Sequence, residues 1–175
     1  GVKYYPAAPR ASEVRIVDIA HHLSMLCRYT GAARKFYSVA EHSVRVSYAV
    51  PERDALWGLL HDAPEAYLAD MSRPLKRYAD FGIPYQRAEG TLMEVIAEKF
   101  GLRPGYIPPA SVKHADTVLL MTEKRDLMHG CNKAWGDTAE PLDGRISPWI
   151  PQAAEIEFIT RFSVVSALAQ EKVLT

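Results

Sequence analysis

An all-α fold is predicted by three features of the sequence. Apolar residues recur at helical spacing in six separate segments, alternating β-branched runs are nearly absent, and start and stop signals punctuate the segments. Ile16, Ile19, Ala20, Leu23 and Leu26 predict a first helix from Ile16 to about Tyr29, with Gly31 as its stop. Ser38 and Glu41 form a Ser-x-x-Glu capping box, which places His42 in the first turn of a second helix reaching about Ala49. Pro51 opens a third, with Ala55, Leu56, Leu59 and Leu60 as its buried stripe and His61 near its end. A fourth helix is expected from Tyr85 to Phe100, a fifth from Pro109 to about Met128, and a sixth from Ala153 to about Ala169. Val14–Val17 is short, β-branched and runs into the first helix. Two connections stand out: the Gly/Pro-rich turn Gly101–Pro109, and a segment from about His129 to Pro151 that contains Trp135 and Trp149. Loops beyond roughly 12–15 residues are usually functional or disordered, and two tryptophans favour a packed flap, serving as a lid or a subunit contact.

The 175 residues predict one domain, 1–175. Twenty-one Lys and Arg against 21 Asp and Glu leave no net charge, which argues against nucleic acid or anionic lipid as a partner. A chain that is 48% hydrophobic and 24% charged has the proportions of a soluble globule. No run approaches the roughly 18 apolar residues of a membrane span, and no basic-then-apolar leader opens the sequence. Cys27 and Cys131 fit no Cys-based zinc or redox spacing and read as two reduced thiols, so a cytoplasmic protein is expected. Self-association is left open.

The informative stretch is His61-Asp62-Ala63-Pro64-Glu65, at the end of an apolar helix. A His-Asp pair is costly to bury there unless something pairs with it. Neighbouring helix residues point about 100° apart, so both can reach one ion beside the helix end if other helices complete the set. His42 lies near the start of the preceding helix, and Asp116 lies in the fifth among Val118, Leu119 and Leu120. Two histidines and two aspartates suit Mn, Fe, Co, Ni or Mg better than a closed structural zinc site.

The ordered pattern His…His-Asp…Asp on consecutive helices resembles the HD-domain superfamily of metal-dependent phosphohydrolases, a compact helical bundle. Phe36-Tyr-Ser-Val-Ala-Glu-His-Ser43 and Leu60-His-Asp-Ala-Pro-Glu-Ala-Tyr-Leu-Ala-Asp-Met-Ser-Arg-Pro-Leu-Lys76 resemble its small 5′-deoxynucleotidase-like branch, which includes phage deoxynucleoside triphosphohydrolases. The similarity runs from about Ile16 to Met128. It implies His42, His61, Asp62 and Asp116 as ligands of a divalent ion (Co, Mn, Mg, Ni, Fe or Zn). It also implies Glu65 as the catalytic glutamate and Asp70 as the acidic residue that follows it. Arg28 is implied at substrate phosphate, Tyr29 near the sugar or base, and Lys76, in Pro74-Leu75-Lys76, near phosphate.

Glu65 lies four residues after His61 and three after Asp62, so a continued helix puts it on their face, whereas Pro64 can break that helix. Arg28 offers a planar fork that matches phosphate oxygens; Lys76 offers a point charge. Arg73 is a nearby cation without an assigned role, and His21 is the best candidate to support a ligand from behind. The only histidine between Asp62 and Asp116 is His114, which disfavours a histidine-rich dinuclear centre. Ala66 after Glu65 stands where alarmone hydrolases of the superfamily carry an acidic residue.

The resemblance therefore implies an enzyme that hydrolyses the 5′-phosphate of deoxynucleoside monophosphates. The alternatives are a deoxynucleoside triphosphohydrolase releasing triphosphate and, in another class, a non-catalytic nucleotide-binding module.

Overall fold

The computed structural model describes residues 2–102, 107–130, 135, 136 and 138–171. All six predicted helices are present: α1 (Ile16–Met25), α2 (Val39–Ala49), α3 (Ala55–Leu60), α6 (Ala79–Phe100), α7 (Ala110–Leu127) and α8 (Pro151–Glu171). Two four-residue helices are added between them, α4 (Glu65–Leu68) and α5 (Arg73–Lys76). Among the described residues the sole β-type pairing is an isolated antiparallel bridge between Cys27 and Ser38. No helix among them is long and apolar enough to cross a membrane.

The bundle is built around α2, which packs against α1, α3, α7 and α8. Its burial runs almost all the way round, from Val39 through Val44 to Ser47. Ile19 and Leu23 of α1, Leu59 and Leu60 of α3, Leu119 of α7 and Phe158 of α8 are fully buried around it. Each such side chain contributes about 1.5–3 kcal/mol by leaving water. Gly58 brings α3 hard against α2: a Cβ there would lie 3.0 Å from the Cα of Ser47.

The first helix is shorter than its apolar spacing predicts. It stops at Met25 because Leu26 turns extended and accepts a hydrogen bond from the Val39 amide at 3.0 Å, alongside the Cys27–Ser38 bridge. Arg28 and Tyr29 consequently sit in a separate 3-10 turn, Arg28–Gly31, in which Tyr29 (φ 58°) and Thr30 (φ 53°) are left-handed. Pro51 opens a 3-10 turn, Glu52–Asp54, before α3 begins. The fourth predicted helix starts earlier than Tyr85: α6 begins at Ala79 and carries Pro84 inside it. So near the N-terminus, a proline removes only one early hydrogen bond. Gly101 ends α6 in the left-handed conformation a helix stop favours (φ 66°).

Cys131 and the middle of the Gly101–Pro109 turn lie outside the described residues. The later part of the long segment is packed as a strap. The Leu142 amide donates to Thr122 Oγ1 at 2.9 Å, the Ile146 amide to Asp126 Oδ2 at 2.9 Å, and the Trp149 amide to Glu41 Oε2 at 2.8 Å. It is thereby tied to α7 and to α2, one residue from His42.

Candidate active site

The four predicted ligands meet where α2, the end of α3 and the middle of α7 converge. His42 is fully buried in the first turn of α2, started by Ser38, whose Oγ accepts from the Glu41 amide at 3.0 Å. The reciprocal half of the expected capping box is absent, because the Glu41 carboxylate takes Arg45 and the Trp149 amide instead. His42 Nε2 lies 3.3 Å from His61 Nε2, 3.2 Å from Asp116 Oδ1 and 3.7 Å from Asp62 Oδ2. His61 Nε2 is 3.3 Å from the same Asp62 oxygen. Donor atoms bound at about 2.0–2.2 Å to one ion sit roughly 3–3.5 Å apart, so this spacing fits a shared cation.

Hydrogen bonding on the far edge of each ring supports the same reading. His61 Nδ1 is 2.8 Å from the Gly58 carbonyl, which can only accept, so the proton is on Nδ1 and the Nε2 lone pair faces the site. His42 Nδ1 is 2.6 Å from Glu123 Oε1, a carboxylate holding the ring from behind. Donor atoms of His42, His61 and Asp116 thus lie within 4.8 Å of one another, and Asp62 Oδ2 lies beside both imidazoles. Without a cation, these acceptors favour protons or repel. Burial and Arg28 work to lower the His42 pKa, but Glu123 and Asp116 outweigh them and raise it to about 9. Asp116 is drawn down to about 2 by its bond to His42, against burial. Asp62 is held well below the carboxylate range by His61 despite its own burial.

A cavity of about 470 Å³ opens beside these ligands, and Arg28, Tyr29, Glu65, Asp70, Arg73 and Lys76 line it. Arg28 is buried, with Nε 3.2 Å from Glu123 Oε2 and Nη1 3.4 Å from Asp62 Oδ2; the Tyr29 hydroxyl donates to Glu123 Oε2. Of the two courses open to Glu65, a continued helix or a break at Pro64, the chain takes the break. The backbone makes a tight turn at 61–64, closed by the Glu65 amide on the Asp62 carbonyl, and α4 restarts at Glu65. Its carboxylate is 4% exposed, with Oε1 3.3 Å from Lys76 Nζ and Oε2 buried without a partner among the described residues. Burial, then the nearby Asp62 and Asp70 charges, push its pKa well above the usual value, Lys76 opposing.

Lys76 also lies 3.0 Å from Glu89 Oε1, and these two carboxylates hold its pKa above the ordinary value against burial. Gly82 lets α6 touch the backbone at Lys76, where a Cβ would collide with the Lys76 carbonyl at 1.9 Å. Asp70 follows Ala69, whose φ of 65° and ψ of 161° belong to a region normally reserved for glycine. Arg73 Nη2 is 3.6 Å from Asp116 Oδ2. His21 does not support the site: it pairs with Glu155 at 3.0 Å on the surface. His114 is exposed on α7 and does not line the cavity.

No protein-family model matches the chain. The uncharacterized protein YfdR of Escherichia coli is 39% identical over 172 residues, which cover 96% of this chain and 93% of that protein. The chain belongs to the YfdR family. An uncharacterized protein of Rhodobacter capsulatus is 36% identical over 131 residues, 68% of this chain and 65% of the relative.

In this YfdR-family chain, the residue that sequence reasoning missed is Glu123. It is fully buried on α7 and touches His42, Arg28 and Tyr29 at once. Burial pushes its carboxyl up, but Arg28 and His42 prevail and hold it at about 2. A signal was present: Glu123 follows Asp116 by seven residues, two helical turns, and so shares its face.

Proposed function

We propose that this chain is a divalent-metal-dependent phosphohydrolase of the HD type that removes the 5′-phosphate of deoxynucleoside monophosphates. The observation that carries the reading is the convergence of His42, His61, Asp62 and Asp116 at one edge of a cavity lined by Arg28, Lys76 and a buried glutamate with a free oxygen. His42, His61, Asp62 and Asp116 would hold the ion, which supplies positive charge against phosphoryl oxygens and acidifies water.

The chain's own groups do the rest. Arg28 presents its planar fork, and Lys76 its point charge, to the phosphate. Glu65 holds a proton, gives it to the departing 5′-oxygen and takes up the proton that the attacking water releases. Water adds to phosphorus, the P–O5′ bond breaks, and nucleoside and inorganic phosphate leave. Four cations (Arg28, Arg73, Lys76, Arg77) line the cavity beside three carboxylates (Asp62, Asp70, Asp116) and the protonated Glu65.

The test is release of phosphate and of triphosphate over a panel of nucleoside mono-, di- and triphosphates, with Mn, Co and Mg in turn. Monophosphates should turn over, and metal-stripped protein and Asp62→Ala should not. Turnover that survives metal removal, or none on any nucleotide with any ion, overturns the reading.

A further inference from the structure

The cavity has two chemically distinct ends, and the second has no role in the reading above. Along α7, Asp116 marks the ligand end, Leu120 lines the cavity one turn on, and Met128 lines it near the helix C-terminus. Lys124 is eight residues from Asp116, about 12 Å along the axis at 1.5 Å per residue. Its ammonium lies 5.2 Å from the centre of the Trp135 ring. That half-buried ring also lines the cavity, with its centre 5.9 Å from that of Tyr29 and the planes inclined at 54°. Tyr29 is in turn pinned by its hydroxyl to Glu123. The groups read as binding phosphate therefore occupy one end of the space and Trp135 the other, with Tyr29 between them, its ring centre 5.3 Å from the Arg28 guanidinium carbon.

We infer that Trp135 is the nucleobase subsite: its indole stacks the flat heterocycle of a substrate whose phosphate sits at the ligand end. This rests on the nucleotide reading and deepens it. It is the same whether one or three phosphates are carried, since the base projects away from the ions in both cases. A tilted pair 5.9 Å apart leaves no slot between the rings, so the base meets one face of Trp135 while Tyr29 borders the sugar. Stacking is tolerant of base identity because every base has a π-face, so the platform predicts affinity for bases in general.

The experiment compares deoxyadenosine 5′-monophosphate with deoxyribose 5-phosphate, which keeps the phosphate and sugar but lacks the base, on the Mn-loaded protein. Trp135→Ala should raise KM for the nucleotide about 5- to 100-fold and leave kcat/KM for deoxyribose 5-phosphate within twofold, with Trp135→Phe recovering much of the loss. An equal loss on both probes, or none on either, overturns the subsite. A second arm does not depend on turnover. Deoxyadenosine, which has no phosphate, should quench the tryptophan fluorescence of the wild type but not of Trp135→Phe, and inorganic phosphate should quench neither. Quenching without hydrolysis of any nucleotide would sink the phosphohydrolase reading and keep the subsite; hydrolysis with no quenching by deoxyadenosine would do the reverse.

Discussion

Glu123 Oε1 stands 2.6 Å from His42 Nδ1, on the opposite edge of the ring from the atom that faces His61 and Asp116. The carboxylate holds the His42 ring in place and would make it a better ligand for a cation. Glu123→Gln, which keeps the shape and removes the charge, should weaken Mn affinity about 10- to 100-fold by calorimetry. Unchanged affinity would confine Glu123 to bracing Arg28 and Tyr29.

Glu65 should behave in the opposite manner. Its buried Oε2 takes no part in the ligand cluster, so Glu65→Gln should retain a full complement of ion while turnover falls about 10²- to 10⁴-fold. Metal content and single-turnover rates on one preparation separate the two effects. Loss of the ion would make Glu65 a ligand.

Ala69 stores backbone strain between Glu65 and Asp70. Glycine has no Cβ to clash at φ 65°, ψ 161°, so Ala69→Gly should stabilise the fold by about 1 kcal/mol and raise Tm by a few degrees. Calorimetry decides this. A lower Tm would mean that the added freedom of the unfolded chain outweighs the strain.

The strap gives a pH-dependent signal. Asp126 accepts from Arg125, Arg145 and the Ile146 amide, and these bonds, Arg125 first, hold its carboxyl well below the usual range. A depressed folded-state pKa adds stability that is complete above the unfolded value of about 3.9 and is lost as pH falls through the folded one. Stability measured by denaturant titration should therefore decline below about pH 4, and Asp126→Asn should be less stable at neutral pH with a flatter acid limb. Identical acid limbs in the two proteins would dismiss the anchor.

The helices were legible because their apolar spacing is regular, and five of them end within a few residues of the predicted bounds or, for α6, extend six residues beyond one. What local pattern could not convey was pairing at a distance. Leu26 continues the stripe of α1, yet the Val39 amide claims its carbonyl and ends the helix. Glu41 fits a capping box, yet Arg45 and the strap draw its carboxylate away. The ligands were readable as types at ordered positions. Glu123 shares the face of Asp116, but a helical glutamate reads as a solvated face until its buried partners are seen.

Gly58 bears on the proposed metal site in a way its composition hides. It contributes no donor side chain, but its carbonyl orients His61, and its missing Cβ sets how closely α3 approaches α2, where His42 stands. The bite of the two imidazoles is therefore a gauge cut by a backbone-to-backbone contact. Replacing Gly58 with alanine would part the helices by a few tenths of an ångström. That is comparable to the difference in bond length that separates a small divalent ion from a larger one. On the proposed reading, ion selectivity in this bundle would be written partly in helix separation, at a position that never touches the ion.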